Sequence, residues 1–215
     1  MPAHQSITDA TKIHEAKQIA SATTADAGKV ITPSSSTNGV GTLRKLAVDE
    51  LDPAGRTPWT GWAQYADGTY TAGAPLSVTA TTRTKVTIDG GGSQTNTAGL
   101  PDGVSALWDT TNNLVLPVGV NDAYDVRLSF KMKLDASSAD QYCDIELDIG
   151  GSVGVIAADT KLFIKGTTAI EVILAFPVYT GTTFNTNGGT FYITPSANSK
   201  FYDFAVSVFV LHRGE

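Results

Sequence analysis

The side chains that could carry out acid–base or metal chemistry are few and scattered along the 215-residue chain. The three histidines are His4, His14 and His212. None of them stands at metal-ligand spacing from another histidine or from the single cysteine, Cys143. Catalysis needs an acid, a base or a nucleophile in a fixed geometry, and the pattern singles out no such group. We therefore predict that the protein is not an enzyme, with no catalytic residue, no metal and no cofactor.

One acidic row and one glycine run remain as alternatives. Asp144, Glu146 and Asp148 share one face of a predicted strand and could bind Ca²⁺, although such cations usually need a loop that wraps them. We interpret the row as a solvated strand face. The run 90–92 lacks the Lys-Ser/Thr and the helix of a phosphate-binding loop. An enzyme such as a depolymerase would need two close carboxylates in a cleft, and the sequence marks no such pair.

The composition favours strands and excludes two classes of partner. Charged residues make up only 17% of the chain, and Thr, Gly, Ser and Ala are abundant. Threonine suits a pleated surface, and glycine suits turns. The net charge is -6 and the 15 Lys and Arg residues are scattered, so we expect no nucleic-acid partner. No apolar run reaches 18 residues, so we expect no membrane insertion.

Hydrophobic alternation predicts a β-sandwich. In 124–134 the even positions are apolar and the odd positions polar, as in a half-buried strand. The segments 84–89, 142–149 and 170–176 alternate similarly, and the apolar side of 142–149 includes Cys143, which we interpret as a small buried hydrophobic residue. Turn signals between the segments suggest eight to ten strands. The fold class predicted is all-β, a jelly-roll β-sandwich.

The last predicted strand, 201–211, is apolar on nearly both faces. A strand of this kind must be covered on both sides, and a second subunit could cover one of them. The alternative is a central strand packed under its own loops. We predict a homotrimer interface on the even-numbered face, formed by Tyr202, Phe204, Val206, Val208 and Val210, with Ala205, Phe209 and Leu211 on the other face.

The first 55 residues differ from the rest of the chain. They contain no aromatic residue, and a short helix over 9–20 is the most ordered element that their pattern allows. The Pro- and Gly-containing run 53–58 marks a boundary, so we divide the chain into an arm, 1–55, and a sandwich, 56–215. A disordered tail is the alternative for the arm.

Three aromatic residues, Trp59, Trp62 and Tyr65, follow this boundary closely. Aromatic faces can stack on sugars, so these residues are candidates for binding a glycan. The alternative is that they pack under the sandwich or across a subunit seam.

Two stretches resemble known families. The segments 12–22, 27–30 and 41–46 (KIHEAKQIASA, AGKV and GTLRKL) resemble the N-terminal arms of tailed-phage head fibre, decoration and tail fibre proteins, many of which carry Pro where this chain has Ala16. The segment 107–117 (LWDTTNNLVLP), with Gly119 and 124–126, is similar to the strand-turn-strand signature of C1q/TNF-like jelly rolls, which form homotrimers.

The resemblance implies a virion protein assembled in the host cytoplasm. Its trimeric sandwich would be held on the major capsid protein or another virion protein by the arm, with the anchoring residues Ile13, His14, Glu15, Lys17, Ile19, Leu43 and Leu46. Since the first residues lack the regions of a signal peptide, release would follow host lysis. The alternative function is a receptor-binding tail fibre tip that recognises a host-surface glycan.

Overall fold

The computed structural model describes residues 29–32, 42–45, 60–136, 140–163 and 167–214, with only the backbone at 29–32, 42–45 and 163. The chain divides into two compact units, Met1–Thr57 and Pro58–Glu215. In the first unit, β1 (Lys29–Thr32) and β2 (Thr42–Lys45) pair antiparallel. The sequence analysis did not predict this hairpin. The helix suggested for 9–20 lies outside the described residues.

The second unit is built almost entirely of strands. Its elements, in chain order, are β3 (Gly61–Ala66), β4 (Leu76–Val78), β5 (Thr84–Lys85), β6 (Trp108–Asp109), β7 (Leu114–Val115), β8 (Ala123–Leu134), β9 (Gln141–Asp148), β10 (Val155–Phe163), β11 (Ile170–Tyr179), α1 (Thr182–Asn187), β12 (Thr190–Pro195) and β13 (Ser199–His212).

Two antiparallel sheets form the layers of the sandwich. The five-stranded sheet has the order β11-β8-β13-β3, with β4 also paired to β13, and the four-stranded sheet has the order β10-β9-β12-β5. The pairing is nested: β3 pairs with β13, β5 with β12, β8 with β11, and β9 with β10. A long hairpin rolled onto itself gives this nesting, which is the jelly-roll arrangement. The predicted fold class is confirmed.

The core lies between the two sheets and follows the predicted alternation. On β8 the inward side chains include Val126, Leu128 and Phe130, and on β9 they include Cys143 and Ile145, all fully buried or nearly so. Each such side chain contributes roughly 1.5–3 kcal/mol when it leaves water. The inward set expected over 170–176 holds except at Ile170, which is exposed at the start of β11.

The last strand, β13, changes its inward parity at a bulge. The register with β8 shifts between Tyr202 and Ala205, and Asp203 within the bulge has φ +54°. Phe201 points inward before the bulge, whereas the even-numbered residues point inward after it. An inserted residue moves all later side chains to the opposite face of the sheet, and this accounts for the change.

This arrangement corrects the proposed trimer interface. Phe204, Val206, Val208 and Val210 belong to the core of a single chain and are at most 2% exposed, and Tyr202 is 7% exposed. Side chains that have no free surface in one copy have almost none to bury against another. The alternative, a central strand covered within its own chain, describes the even-numbered face of β13.

Candidate interaction surface

The outer face of the five-stranded sheet carries three aligned rows of side chains. The strand registers place Trp62, Phe209, Asp125 and Pro177 in the first row, Gln64, Ser207, Arg127 and Ala175 in the second, and Ala66, Ala205, Ser129 and Ile173 in the third. We call this surface the outer face. It is continuous across β3, β13, β8 and β11, because residues opposite each other in antiparallel strands project to the same side.

Stacked side chains from three strands form the centre of the outer face. The rings of Trp62 and Phe209 are stacked with centroids 6.1 Å apart, and the Arg127 guanidinium lies 4.8 Å from the Phe209 centroid. Arg127 is held by Asp125, whose carboxylate is 2.7 Å from the guanidinium. Tryptophan and arginine are the residue types that most often dominate protein interfaces. The stack therefore presents a fixed, partly apolar surface rather than a set of mobile side chains.

The edge of the outer face on β11 is apolar and exposed. Ile173 is 65% exposed and Tyr179 is 64% exposed, and the positions between them are Ala175 and Pro177. Leu211, near the end of β13, is 56% exposed. Contiguous apolar surface of this kind often marks an interaction site.

The outer face of the four-stranded sheet has a different chemistry. Arg83 forms ion pairs of 2.7 Å with both Glu146 and Asp148, and its guanidinium lies 3.6 Å from the Tyr192 ring centroid. The backbone N–H of Gly150, followed by Arg83, holds the pKa of Asp148 below its usual value. The acidic row that was interpreted as a solvated face is thus bridged by an arginine.

A polar groove lies beside the apolar part of the outer face. Its volume is about 500 Å³, and its charged lining residues are Asp67, Lys131, Glu171 and Asp203. Lys131 pairs with Asp203 at 3.1 Å. Burial raises the pKa of Asp67, although its carboxylate accepts backbone N–H groups from Tyr70 and Asp89. The lining groups bond mainly to one another, and the groove offers no exposed aromatic ring.

The predicted glycan-binding residues do not form a cluster. Trp62 is on the outer face, whereas Tyr65 is 5% exposed in the core, and its hydroxyl accepts the Leu107 backbone N–H at 3.0 Å. Residues three apart on a strand project to opposite faces. Trp59 lies outside the described residues. Tyr65 is therefore not a glycan-binding residue in this fold.

The predicted anchoring residues fall largely outside the described part of the chain. Leu43 lies on the backbone of β2. Ile13, His14, Glu15, Lys17, Ile19 and Leu46 lie outside the described residues. Their role stays a prediction.

Sequence reasoning missed the β11 part of the outer face. The analysis used the even positions of 170–176 and overlooked the odd positions, Ile173, Ala175 and Pro177. The signal was present, because these odd positions lack the charges that fill the same positions of β8. Cys143 is buried as predicted, and burial raises the pKa of its thiol to about 12.

Two further searches concern only the described residues. They contain no group of three or more His, Cys, Asp or Glu side chains arranged to hold a metal ion. In the same part of the chain, no helix has the length and apolar character needed to cross a membrane.

Comparison with known proteins gives two distant structural likenesses. No family model matches the chain, and no curated protein matches its sequence. The vertex protein P5 of PRD1 is similar at 11% identity and a TM-score of 0.42, over 73% of this chain and 99% of that chain. Eiger TNF from S. frugiperda is similar at 12% identity and a TM-score of 0.42, over 74% and 96%. Neither value bears on function, and the fold assignment rests on the strand pairing.

Proposed function

We propose that the protein is a virion structural protein of a tailed phage, a head fibre or decoration protein that assembles as a homotrimer through its outer face. The single observation that carries the proposal is the exposed apolar surface around Trp62, Phe209 and Ile173. The opposite outer face is closed by ion pairs. Such a one-sided distribution suits a molecule that buries one face against copies of itself.

The number of copies comes from the resemblance to C1q/TNF-like jelly rolls. A surface made of one sheet face and its edge strand is not self-complementary by necessity, and head-to-tail contacts between such surfaces close into a ring when the rotation permits. We propose three copies in that ring. The first 55 residues would hold the trimer on the particle, and three arms would act together through their effective concentration.

Two exposed apolar residues on different sheets provide the test of assembly. Ile173→Glu places a charge on the outer face, and Leu162→Glu places one on β10, where Leu162 is 70% exposed. Sedimentation equilibrium of the unmodified chain should give three times its 22.5 kDa mass. We expect Ile173→Glu to sediment as a monomer and Leu162→Glu as a trimer. A monomeric unmodified chain, or a trimeric Ile173→Glu variant, would contradict the proposed interface.

Anchoring is tested separately by removing residues 1–50. The shortened chain should remain a folded trimer and should no longer decorate particles in a pelleting assay. Continued binding to particles would show that the anchoring surface lies in the sandwich instead.

A further inference from the structure

The free edge of β3 is covered by a second segment of the same chain. Residues 92–100, which we call the edge strap, run beside β3 on the side away from β13. The Trp62 N–H donates to the Gly99 carbonyl at 2.7 Å, and Gln64 and Asn96 exchange two backbone hydrogen bonds of 2.9 and 2.8 Å. The Ala66 N–H donates to the Thr95 Oγ1 at 3.0 Å. Each outward-directed N–H of β3 is therefore satisfied by the edge strap.

The edge strap fits closely because glycines stand at its contact points. A Cβ on Gly99 would lie 2.7 Å from the Trp62 Nε1, and a Cβ on Gly92 would lie 2.8 Å from the Ala66 Cβ. From the other side, a Cβ on Gly61 would lie 2.6 Å from the Pro101 backbone nitrogen. Larger residues at these positions would push the segment away from the strand. The spacing is that of a built contact rather than of a loop that drifts over the surface.

The opposite edge of the same sheet has no such cover in the described part of the chain. There β11 pairs with β8 along ten residues, and no described residue pairs with its other side. Pro177 removes one backbone donor near the end of β11, but the seven residues Ile170–Phe176 contain no proline. Neighbouring strands alternate in direction across the sheet, so β11 of one copy could lie antiparallel to β3 of another.

We propose that the edge strap is an intramolecular cap that prevents β3 of one copy from pairing with β11 of a second copy. An uncovered strand edge is a template for another chain, and loops that cover edges are one means by which proteins prevent such pairing. Pairing of β3 with β11 would be head-to-tail and would repeat without closing, which produces fibres. The cap acts on sheet edges and is independent of the proposed trimer, which uses sheet faces.

A pair of substitutions at one position tests the cap. Asn96→Pro removes the backbone N–H that donates to Gln64, whereas Asn96→Ala keeps that donor and serves as the matched control. Hydrogen exchange measured by mass spectrometry on peptides spanning β3 should be about ten-fold faster in Asn96→Pro, because the strap opens more often. Sedimentation velocity should show assemblies of Asn96→Pro that grow with concentration. Asn96→Ala should match the unmodified chain in both measurements.

A second variant keeps the test decisive if Asn96→Pro folds poorly. Gly99→Ala displaces the strap from Trp62 without removing any donor, and Gly73→Ala, whose nearest contact is 4.0 Å away, is its control. Gly99→Ala should also form growing assemblies, and adding Ala175→Lys on the β11 edge should stop the growth.

Three results would overturn the proposal. The first is unchanged exchange in both strap variants, and the second is faster exchange with no growth in size at any concentration. The third is growth that persists after Ala175→Lys is added, since the partner edge would then not be β11.

Discussion

At the scale of single residues, Tyr65 shows how one hydroxyl can join two parts of the sandwich. Its ring lies in the core on β3, and its oxygen accepts the backbone N–H of Leu107, 42 positions away along the chain. Leu107 is itself fully buried, so water cannot replace the lost acceptor at that N–H. A buried donor left without a partner costs more than the bond contributes when it is formed.

We expect Tyr65→Phe to lower the free energy of unfolding by about 1–3 kcal/mol, because the Leu107 N–H loses its acceptor. Urea unfolding followed by tryptophan fluorescence measures this change. Tyr142→Phe is the control, since the Tyr142 side chain is 46% exposed and water can replace its hydroxyl contacts. Equal effects of the two substitutions would contradict the assigned hydrogen bond.

The sequence predicted the environment of some residues and not of others. Cys143 was predicted correctly because it continues a strict alternation with Ile145 and Leu147. Trp62 and Tyr65 were grouped by their closeness along the chain, yet their spacing of three puts them on opposite faces of β3. Their segment has too few charged neighbours for the alternation to show which of the two points inward.

At the scale of elements, β13 carries core and surface functions on alternating residues. Val208 is fully buried, and its neighbour Ser207 faces outward, where its hydroxyl donates to the Gln64 side-chain oxygen at 3.3 Å. The strand lies between β8 on one side and β3 and β4 on the other. A change of polarity therefore has opposite consequences at adjacent positions.

We expect Val208→Asp to prevent folding, because a carboxylate in the core without a partner costs on the order of 4 kcal/mol or more. Ser207→Asp should give a folded chain. Far-ultraviolet circular dichroism and the soluble fraction after expression compare the two. A folded, soluble Val208→Asp protein would show that the inward parity of β13 after the bulge is wrong.

The long strands could be predicted, and the short elements could not. The 12 residues of β8 give six apolar positions in register, which is a strong signal. β6 and β7 have two residues each, too few to alternate. The helix α1, Thr182–Asn187, buries only Phe184 and carries no apolar repeat, so the sequence showed only its turn residues. The bulge in β13 was hidden because apolar residues lie on both sides of it.

At the scale of the whole molecule, acid should act through three carboxyl groups held by backbone N–H donors. The N–H groups of Gly68, Asn112 and Gly150 are the leading causes that lower the pKa of Asp89, Asp109 and Asp148 respectively. A carboxyl group with a lower pKa in the folded chain binds fewer protons there than in the unfolded chain. Its contribution to stability is present above the unfolded pKa and is lost as the pH falls through the folded pKa. Asp67, whose pKa is raised by burial, contributes with the opposite sign.

We expect the free energy of unfolding to decrease as the pH falls from about 5 towards 2. Asp109→Asn should weaken this dependence, because the substituted side chain no longer titrates. Urea unfolding at a series of pH values measures the slope. Asp102→Asn, in a turn, serves as a comparison at another aspartate. An identical slope in Asp109→Asn and the unmodified chain would contradict the role of Asp109.

The overall architecture was accessible from the sequence only as a class. Composition and alternation predicted a β-sandwich, but pairs such as β3 with β13 join residues more than 140 positions apart, as Ser207 and Gln64 show. No local pattern records such a pairing. The outer face was half visible, since Phe209 and Leu211 were noted on the odd side of the last strand while Ile173 and Pro177 were not. The trimer was assigned to the inward side because the bulge and the opposing sheet were unknown.

The neighbouring positions of β3 and β13 give the molecule a single doorway. Gly61, where the chain enters the sandwich, is the register partner of Val210, shortly before the chain leaves it. A passenger fused after residue 214 would emerge beside that entrance, leaving the loops at the other end of the barrel unobstructed. Joining the two ends through a short linker and opening the chain in the 149–154 turn would preserve every nested strand pair, so the sandwich is well suited to circular permutation.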